Sequence, residues 1–474
     1  MKQLGKFTAF LAIVVAALLF DTRILSFIQA TYSPPKSHVP ADVTAVVLNW
    51  VRVANVVQIV ALLCGSSLDG VIKEIVVWNN NPLPLVDNDF TCNKLRIHNS
   101  TANLYFQARF IACANASTPY CFIQDDDYLV KPEVIRSLRS RIDNQDIFHL
   151  PPDEVLSSRL LSINSSFVHF AFSWLGYGAL IHRHNAASFL SLLGRLGVSQ
   201  EEIKMADNYY SILSNSFPEI WIGAPIALFG GGDFTVGEEG VARNRKHIAA
   251  AAKYLDAIVT DTNSSSNPEW PYVSLKTSPP KPGLERSPCL GRLCIFESNI
   301  LSLPDSFVTD TYKTAGEIFS RETELSTALT EEFTSTYIKF PLSHAVDSDP
   351  DTSFKSTRNA AQGDALVLDV FDAAQQMTQK GVEWSWLVDA GTAQMLRTST
   401  YSYSSDRSSW AESSGAVFCT TSAYTALQEC RVPVEGASLA SARYFRLQLR
   451  STLDLPWRIY ETWLDTGTRA SLIL

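Results

Sequence analysis

From Val43 onward, short apolar runs alternate with stretches of helical spacing. The run "VTAVVLNW" (Val43–Trp50) is rich in β-branched residues and predicts a buried strand. "VANVVQIVALLCG" (Val53–Gly65) has helical periodicity and stops at a glycine. "VIKEIVVWNN" (Val71–Asn80) and "KLRIHN" (Lys94–Asn99) predict further strands, and "NLYFQARFIACANA" (Asn103–Ala116) a helix. "YCFIQ" (Tyr120–Gln124) is the next strand, and Asp125, Asp126 and Asp127 stand at its C-terminal end. Strands alternating with helices imply a largely parallel α/β sheet, whose ligands bind beyond the carboxyl ends of the strands.

Further on, "FAFSWLGYGALIHRHNAASFLSLL" (Phe170–Leu193) predicts a strand or loop leading into a helix. "SQEEIKMADNYYSILSNSF" (Ser199–Phe217) predicts one helix, with Ser199 and Glu202 spaced as a capping box. "IWIGAPIALFGGGDF" (Ile220–Phe234) predicts a strand and a glycine-rich loop, and the helix after it begins basic, at Gly240–Val259. Composition changes at Thr260, where Ser-, Asn- and Pro-rich stretches suit a linker over 261–299. A helical stretch at Glu317–Glu332 follows. Beyond it, alternating segments such as "EWSWLVD" and "ARYFRLQLRS" predict an all-β sandwich within 300–474.

The N-terminus follows a different pattern. Lys2 and Lys6 precede an apolar run, Phe7–Phe20, and a second apolar patch follows Arg23. The first run is short against the roughly 20 residues of a spanning helix. No small-residue cleavage site follows it directly. Residues 1–30 are therefore expected to be a signal anchor, and 31–42 a proline-containing stem. The expected location is the Golgi or endoplasmic reticulum membrane, single-pass type II with a lumenal catalytic domain; the alternative is a secreted protein. Sequons at Asn99, Asn115, Asn164 and Asn263 and an even count of 8 cysteines agree with a lumenal chain. The spacings Cys113/Cys121, Cys289/Cys294 and Cys419/Cys430 permit local disulfides without fixing the pairing. A net charge of −9 argues against a nucleic-acid partner.

Three adjacent carboxylates at the end of a buried strand repel one another and resist desolvation. A divalent cation and a diphosphate at the same place offset that repulsion, since Mg²⁺ or Mn²⁺ commonly bridges one or two carboxylates to substrate phosphates. If the backbone stays extended, Asp125 and Asp127 face one side and Asp126 another. The plain alternative is a solvated acidic turn.

The neighbours of the triplet carry a family resemblance. "EIVVWNNN" (Glu74–Asn81), "TANLYFQARF" (Thr101–Phe110), "FIQDDDYLVKPEVI" (Phe122–Ile135) and "MADNYYSIL" (Met205–Leu213) resemble, in order and spacing, the exostosin-like glycosyltransferases. The resemblance implies a GT-A glycosyltransferase domain over 43–260. By position it implies nucleotide or phosphate contact for Arg52, uracil or ribose contact for Asn79 or Asn80, and nucleotide-sugar contact for Asn103 and Arg109. It implies metal ligation by Asp127, with Asp125 and Asp126 nearer the nucleotide sugar and Asp125 a second candidate ligand. Asp207 falls on the family's catalytic acidic residue. Apart from the family, "GGGDFTVGEEGVARNRKHI" (Gly230–Ile248) resembles a flexible lid followed by a basic helix start, from which Arg243, Arg245, Lys246 or His247 would reach the diphosphate. Each has a plainer reading: surface arginines, turn asparagines, or a solvated helix residue.

"LSHAVDSDPDTSFKSTRNAAQGDALVLDV" (Leu342–Val370) and "ARYFRLQLRSTLDLPWRIYETWL" (Ala442–Leu464) resemble a discoidin-type, galactose-binding-like β-sandwich. Trp384, Trp386, Trp410 and Trp457 would there be core residues or sugar platforms. The resulting expectation is a retaining hexosyl- or N-acetylhexosaminyltransferase that uses Mn²⁺ (or Mg²⁺). It would take a UDP-sugar and a glycan, glycoprotein or glycolipid acceptor. The alternative is a non-catalytic, lectin-like protein that binds glycans through the sandwich.

Overall fold

The computed structural model describes residues 40–143, 145–158, 161–163, 168–214, 217–228, 238–264, 283–303, 312–328, 336–371, 382–421, 426–436 and 439–465. The expected anchor and most of the stem lie outside them, as do the glycine-rich loop at 230–234 and the sequon residue Asn164. Among the described residues no helix is long and apolar enough to cross a membrane.

The first half is built on a seven-stranded sheet. Its strands are β1 (Val43–Asn49), β2 (Ile72–Asn79), β3 (Leu95–Asn99), β4 (Tyr120–Gln124), β5 (Ile147–Leu150), β6 (Ala179–His182) and β7 (Glu219–Ile222). They lie in the order β7-β5-β6-β4-β1-β2-β3, and only β6 runs antiparallel to the rest. Every residue of β1 is buried, which explains its unbroken apolar run. Its side chains alternate between two cores. Val46 and Leu48 pack with Phe110, Phe189 and Tyr210, whereas Ala45 and Val47 pack with Ile59, Val134 and Leu138. The helices α1 (Val53–Leu63), α2 (Gln107–Ala114), α3 (Pro132–Arg141) and α4 (Arg183–Arg195) thus cover both faces. Strand order reverses at β1, between β2 on one side and β4 on the other, and this is where an open α/β sheet forms a crevice.

The predicted helix at Ser199–Phe217 is two helices. Ser199 and Glu202 form both halves of the capping box on α5 (Gln200–Lys204). The chain then bends at Met205, and α6 (Asp207–Leu213) begins anew. The bend leaves the Lys204 carbonyl to accept from Phe106 N at 3.1 Å. A longer helix, α7 (Glu238–Ser264), and α8 (Ala315–Ala328) complete this half; the Asp256 carboxylate of α7 accepts from Ala315 N and Gly316 N.

The second half is a sandwich of a six-stranded and a five-stranded antiparallel sheet. Trp384, Trp386 and Trp457 are fully buried between them and are core residues, not sugar platforms. Trp410 is half-buried and covered by the Arg446 guanidinium at 4.1 Å. The expected boundary needs correction. Glu285–Pro288 and Ile295–Ser298, placed in the linker, are strands of the six-stranded sheet, paired through Ala365–Asp369. α8, placed in the sandwich domain, packs on α7 instead, with Ala315 and Ile318 in the core of the first half. All eight cysteines are paired, as Cys113–Cys121, Cys289–Cys294, Cys419–Cys430 and the non-local Cys64–Cys92.

A buried ion network joins the two halves. Arg141, at the end of α3, reaches Glu219 at 3.1 Å, Glu297 at 3.1 Å and Asp369 at 2.9 Å. Arg286 and Arg407 also meet Glu297, and Arg443 meets Asp369 at 2.7 Å. Burial works against the Arg141 charge, yet the three carboxylates hold its pKa above the usual range. Arg141→Met would leave those carboxylates short of one shared partner inside the protein. It is expected to cost about 3–5 kcal/mol, read as a lower denaturant midpoint.

Candidate active site

The crevice between β1 and β4 is a cleft of about 250 Å³. Its floor is the acidic triplet. β4 ends at Gln124 and the chain turns at Asp126, so the alternation of side chains stops. Asp125 points to Arg109, whose Nη2 donates to Oδ1 at 2.6 Å. Asp126 points the other way: Arg52 Nη1 donates to its Oδ1 at 2.8 Å. Asp127 lies 3.6 Å from the same guanidinium. Asp126 and Asp127 thus share one arginine and Asp125 has another.

Exposure grades the three carboxylates. The Asp126 side chain is buried, that of Asp125 is 27% exposed and that of Asp127 is 32% exposed. Burial raises the pKa of Asp126 against the pull of Arg52. Asp127 is pushed up to about 7 by burial and by the charges of Asp125 and Asp126. One extra positive charge would relieve this crowding. Among the described residues no group of three or more His, Cys, Asp or Glu side chains is placed to hold a metal ion. Asp125 and Asp127 keep partly exposed carboxylates at the cleft, two hard oxygen ligands of the kind that Mg²⁺ or Mn²⁺ takes beside phosphate.

Arg109 and Asp207 lie beneath. Both side chains are fully buried, with Arg109 Nη1 2.8 Å from Asp207 Oδ2. That contact falls short of hydrogen-bond alignment, and neither Asp207 oxygen has a hydrogen-bond partner among the described residues. Burial pushes the Asp207 carboxyl up to about 7, against the pull of Arg109. Asp207 therefore does not face the cleft, as expected for a catalytic acid. Its link to the cleft is Arg109, which it shares with Asp125.

Gly176 closes over the triplet. Its carbonyl accepts from Asp125 N at 2.9 Å, and a Cβ at this position would stand 2.1 Å from Asp125 Oδ2. Only glycine fits there. Trp174 and Tyr177 form the adjoining wall, with Tyr177 packed edge-on against Tyr128 at 4.6 Å. None of these wall residues was singled out in the sequence. Aromatic residues beside glycine in "SWLGYGAL" read equally well as core.

The asparagines take a different role from the expected one. Asn49, Asn79 and Asn99 stand in register at the ends of β1, β2 and β3. Asn79 accepts from Asn49 at 2.7 Å and donates to Asn99 Oδ1 at 2.9 Å and to the Leu83 carbonyl at 2.8 Å. Its amide is consumed inside the protein, and it does not line the cleft. Asn79→Ala is expected to cost about 2–4 kcal/mol, because it strands buried amides on both sides. Donor binding by the folded variant should stay unchanged, a pairing that denaturation and calorimetry check together. Asn80 and Asn103 do line the cleft, but both bind backbone. Asn80 Nδ2 donates to the Tyr105 carbonyl at 3.2 Å, and Asn103 Oδ1 accepts from Tyr105 N at 2.9 Å.

The basic stretch also needs correction. Arg243, Lys246 and His247 share one face of α7 and line a second cavity of about 790 Å³, and Arg245 is exposed. Only Asn244 of that stretch reaches the cleft, one residue of helical rotation away. His247 is held below its usual range by burial and by the Lys246 and Arg243 charges.

No family model and no curated protein matches the chain. Solved structures do. The mannosyltransferase PcManGT from Pyrobaculum calidifontis, determined with GDP-Man and Mn²⁺, is 13% identical over 68% of this chain and 88% of that chain, with a TM-score of 0.29. S. aureus TarS 1–349 is 11% identical over 50% of this chain and 76% of that chain, also with a TM-score of 0.29. Chitosan-binding module 1 of a chitosanase/glucanase from Paenibacillus sp. IK-5 is 14% identical over 27% of this chain and 86% of that chain, with a TM-score of 0.19. At such low TM-scores, the functional reading rests on the site's own geometry.

Proposed function

We propose that the chain is a metal-dependent, retaining glycosyltransferase of the GT-A, exostosin-like type, moving a sugar from a UDP-sugar to a glycan, protein or lipid-headgroup acceptor. One observation carries the reading. Three carboxylates stand at the carboxyl end of a central parallel strand, in a cleft at the sheet's switch point, apportioned between two arginines. A solvated acidic turn would need neither the crevice nor a fully buried arginine beneath it.

Asp127, with Asp125, would hold Mn²⁺ or Mg²⁺, and the bound ion supplies positive charge against the departing diphosphate. The protein's own groups do the rest. Arg52 anchors Asp126 at 2.8 Å and lies 3.6 Å from Asp127. Arg109 fixes the Asp125 carboxylate from below, and Asp207 fixes Arg109. The Gly176 carbonyl holds Asp125 N from above. Trp174 and Tyr177 wall off the cleft, keeping water from the sugar carbon. In the transfer the bond from the sugar carbon to the diphosphate oxygen breaks, one to the acceptor oxygen forms on the same face, and the departing diphosphate oxygen takes the acceptor hydroxyl's proton. Four disulfides suit an oxidising lumen, where an anchor at residues 1–30 would hold the enzyme.

The test is a panel of nucleotide sugars read by release of the nucleoside diphosphate. Release from a uridine donor is expected, lost on chelation and restored by Mn²⁺. No release from any donor, with or without metal, overturns the reading.

A further inference from the structure

We infer that Tyr105 is a partition between the donor cleft and a second cavity that holds the acceptor saccharide, with Asn80 and Asn103 clamping it in place; the inference rests on the glycosyl-transfer reading. Tyr105 lines both cavities. Its backbone has φ +49°, a conformation that bulky residues adopt only when their surroundings enforce it. The enforcement is visible. Asn103 Oδ1 accepts from Tyr105 N, Asn80 Nδ2 donates to Tyr105 O, and Asn80 Oδ1 accepts from the preceding Leu104 N at 3.1 Å. The following Phe106 N is tied to the Lys204 carbonyl freed by the bend between α5 and α6. Lys204 Nζ also lies 5.9 Å from the centre of the Tyr105 ring. Two asparagine side chains and a helix end thus hold one tyrosine in a left-handed conformation at the boundary of two cavities.

The second cavity suits a hydroxyl-rich ligand. Its lining carries the ion pair of Lys204 and Glu201, 2.8 Å apart, with Lys246 beside it, polar groups that can exchange partners with a ligand hydroxyl. At about 790 Å³ it is larger than the donor cleft and within the range of cavities that enclose whole small ligands. Asn244 reaches the cleft while Arg243 and His247 line the cavity, so the two share a wall on α7 as well.

The experiment uses Tyr105→Gly and Tyr105→Phe in the full chain. Glycine accepts φ > 0 without strain, so the first removes the ring and not the fold. Nucleotide release from the active donor is measured in water alone and with a panel of p-nitrophenyl glycosides. Tyr105→Gly should raise the ratio of donor hydrolysis to glycosyl transfer at least about tenfold and raise the acceptor KM by a similar factor; Tyr105→Phe should stay within about twofold of wild type. These sizes are what a lost wall contact of about 1.4 kcal/mol implies. If Tyr105→Gly does not fold, Asn103→Ala, which removes one clamp, must move both quantities the same way by about threefold. A folded Tyr105→Gly, or in its absence Asn103→Ala, with wild-type ratio and acceptor KM overturns the inference alone. Nucleotide release by wild type that no glycoside alters overturns the acceptor assignment. A wild type that releases no nucleotide from any donor overturns the transfer reading, and the inference with it.

Discussion

Arg109→Met is expected to cost about 3–5 kcal/mol of stability and to abolish nucleotide release, the cost of stranding buried charge. Among the described residues the guanidinium is the only counter-charge at Asp207, and it lies between Asp207 and Asp125 at 2.8 and 2.6 Å. Without it two carboxylates confront each other under the cleft, and Asp207 must stay protonated to remain buried. The double variant Arg109→Met/Asp207→Asn should recover part of the stability and none of the activity, because Asp125 still lacks its anchor. The pH dependence fixes the sign. Burial raises the folded pKa of Asp207 to about 7, above the unfolded value near 3.9. The folded state therefore binds the extra proton between these values, so the Asp207 contribution to stability falls as pH rises from about 4 to about 7 and levels above that. Asp207→Asn removes this slope, and Arg109→Met extends it to higher pH. Denaturant midpoints at pH 5 and pH 8 distinguish the three. An Arg109→Met variant that is stable and active would mean that the buried triad has no bearing on the cleft.

The sheet and the triplet were legible because their signals are local. β1 and β4 are apolar runs with β-branched or aromatic residues, and a buried strand ending in three charges has few structural explanations. The Ser199–Glu202 box marked the start of α5 for the same reason. Other features depend on distant partners. Asn79 carries the same amide whether it meets a nucleotide or a ladder of strand-end asparagines, and only the register of β1, β2 and β3 decides. The strands at 285–298 look like linker because their apolar partners are at 365–369, and α8 looks like part of the sandwich until its contacts with α7 are seen. The face that α7 turns to the cleft likewise depends on docking, and a shift of one residue exchanges Asn244 for Arg243. Cys64 and Cys92 are separated by 28 residues, too far for spacing to pair them. The bend at Met205 carries neither glycine nor proline, and the Lys204 carbonyl that it frees is taken by Phe106 N, a contact made across the fold.

Asp127→Asn is expected to separate stability from function. Asp127 is the most exposed of the three carboxylates and makes no closer ion pair than 3.6 Å, so the fold gains little from its charge. Its pKa of about 7 shows that the charge is resisted, by burial first and by Asp125 and Asp126 next. The sign is that of Asp207: a folded pKa above the unfolded value lowers stability as pH rises through that window. Replacing the carboxylate with an amide of the same shape should therefore stabilise the metal-free protein by about 1–2 kcal/mol at pH 8. This is well below what the full shift implies, because water screens a side chain about one-third exposed. At pH 5, where the folded wild type carries the proton and the unfolded chain does not, the gap should shrink to about a third of its pH 8 value. Nucleotide release should fall by about 10²–10³-fold or more at both pH values, the loss typical of removing one group that stabilises developing charge. A surface carboxylate of no function would give neither half of this result. A variant that is more stable and fully active, with its Mn²⁺ dependence unchanged, would remove Asp127 from the metal site and leave the crowding of the triplet without a purpose.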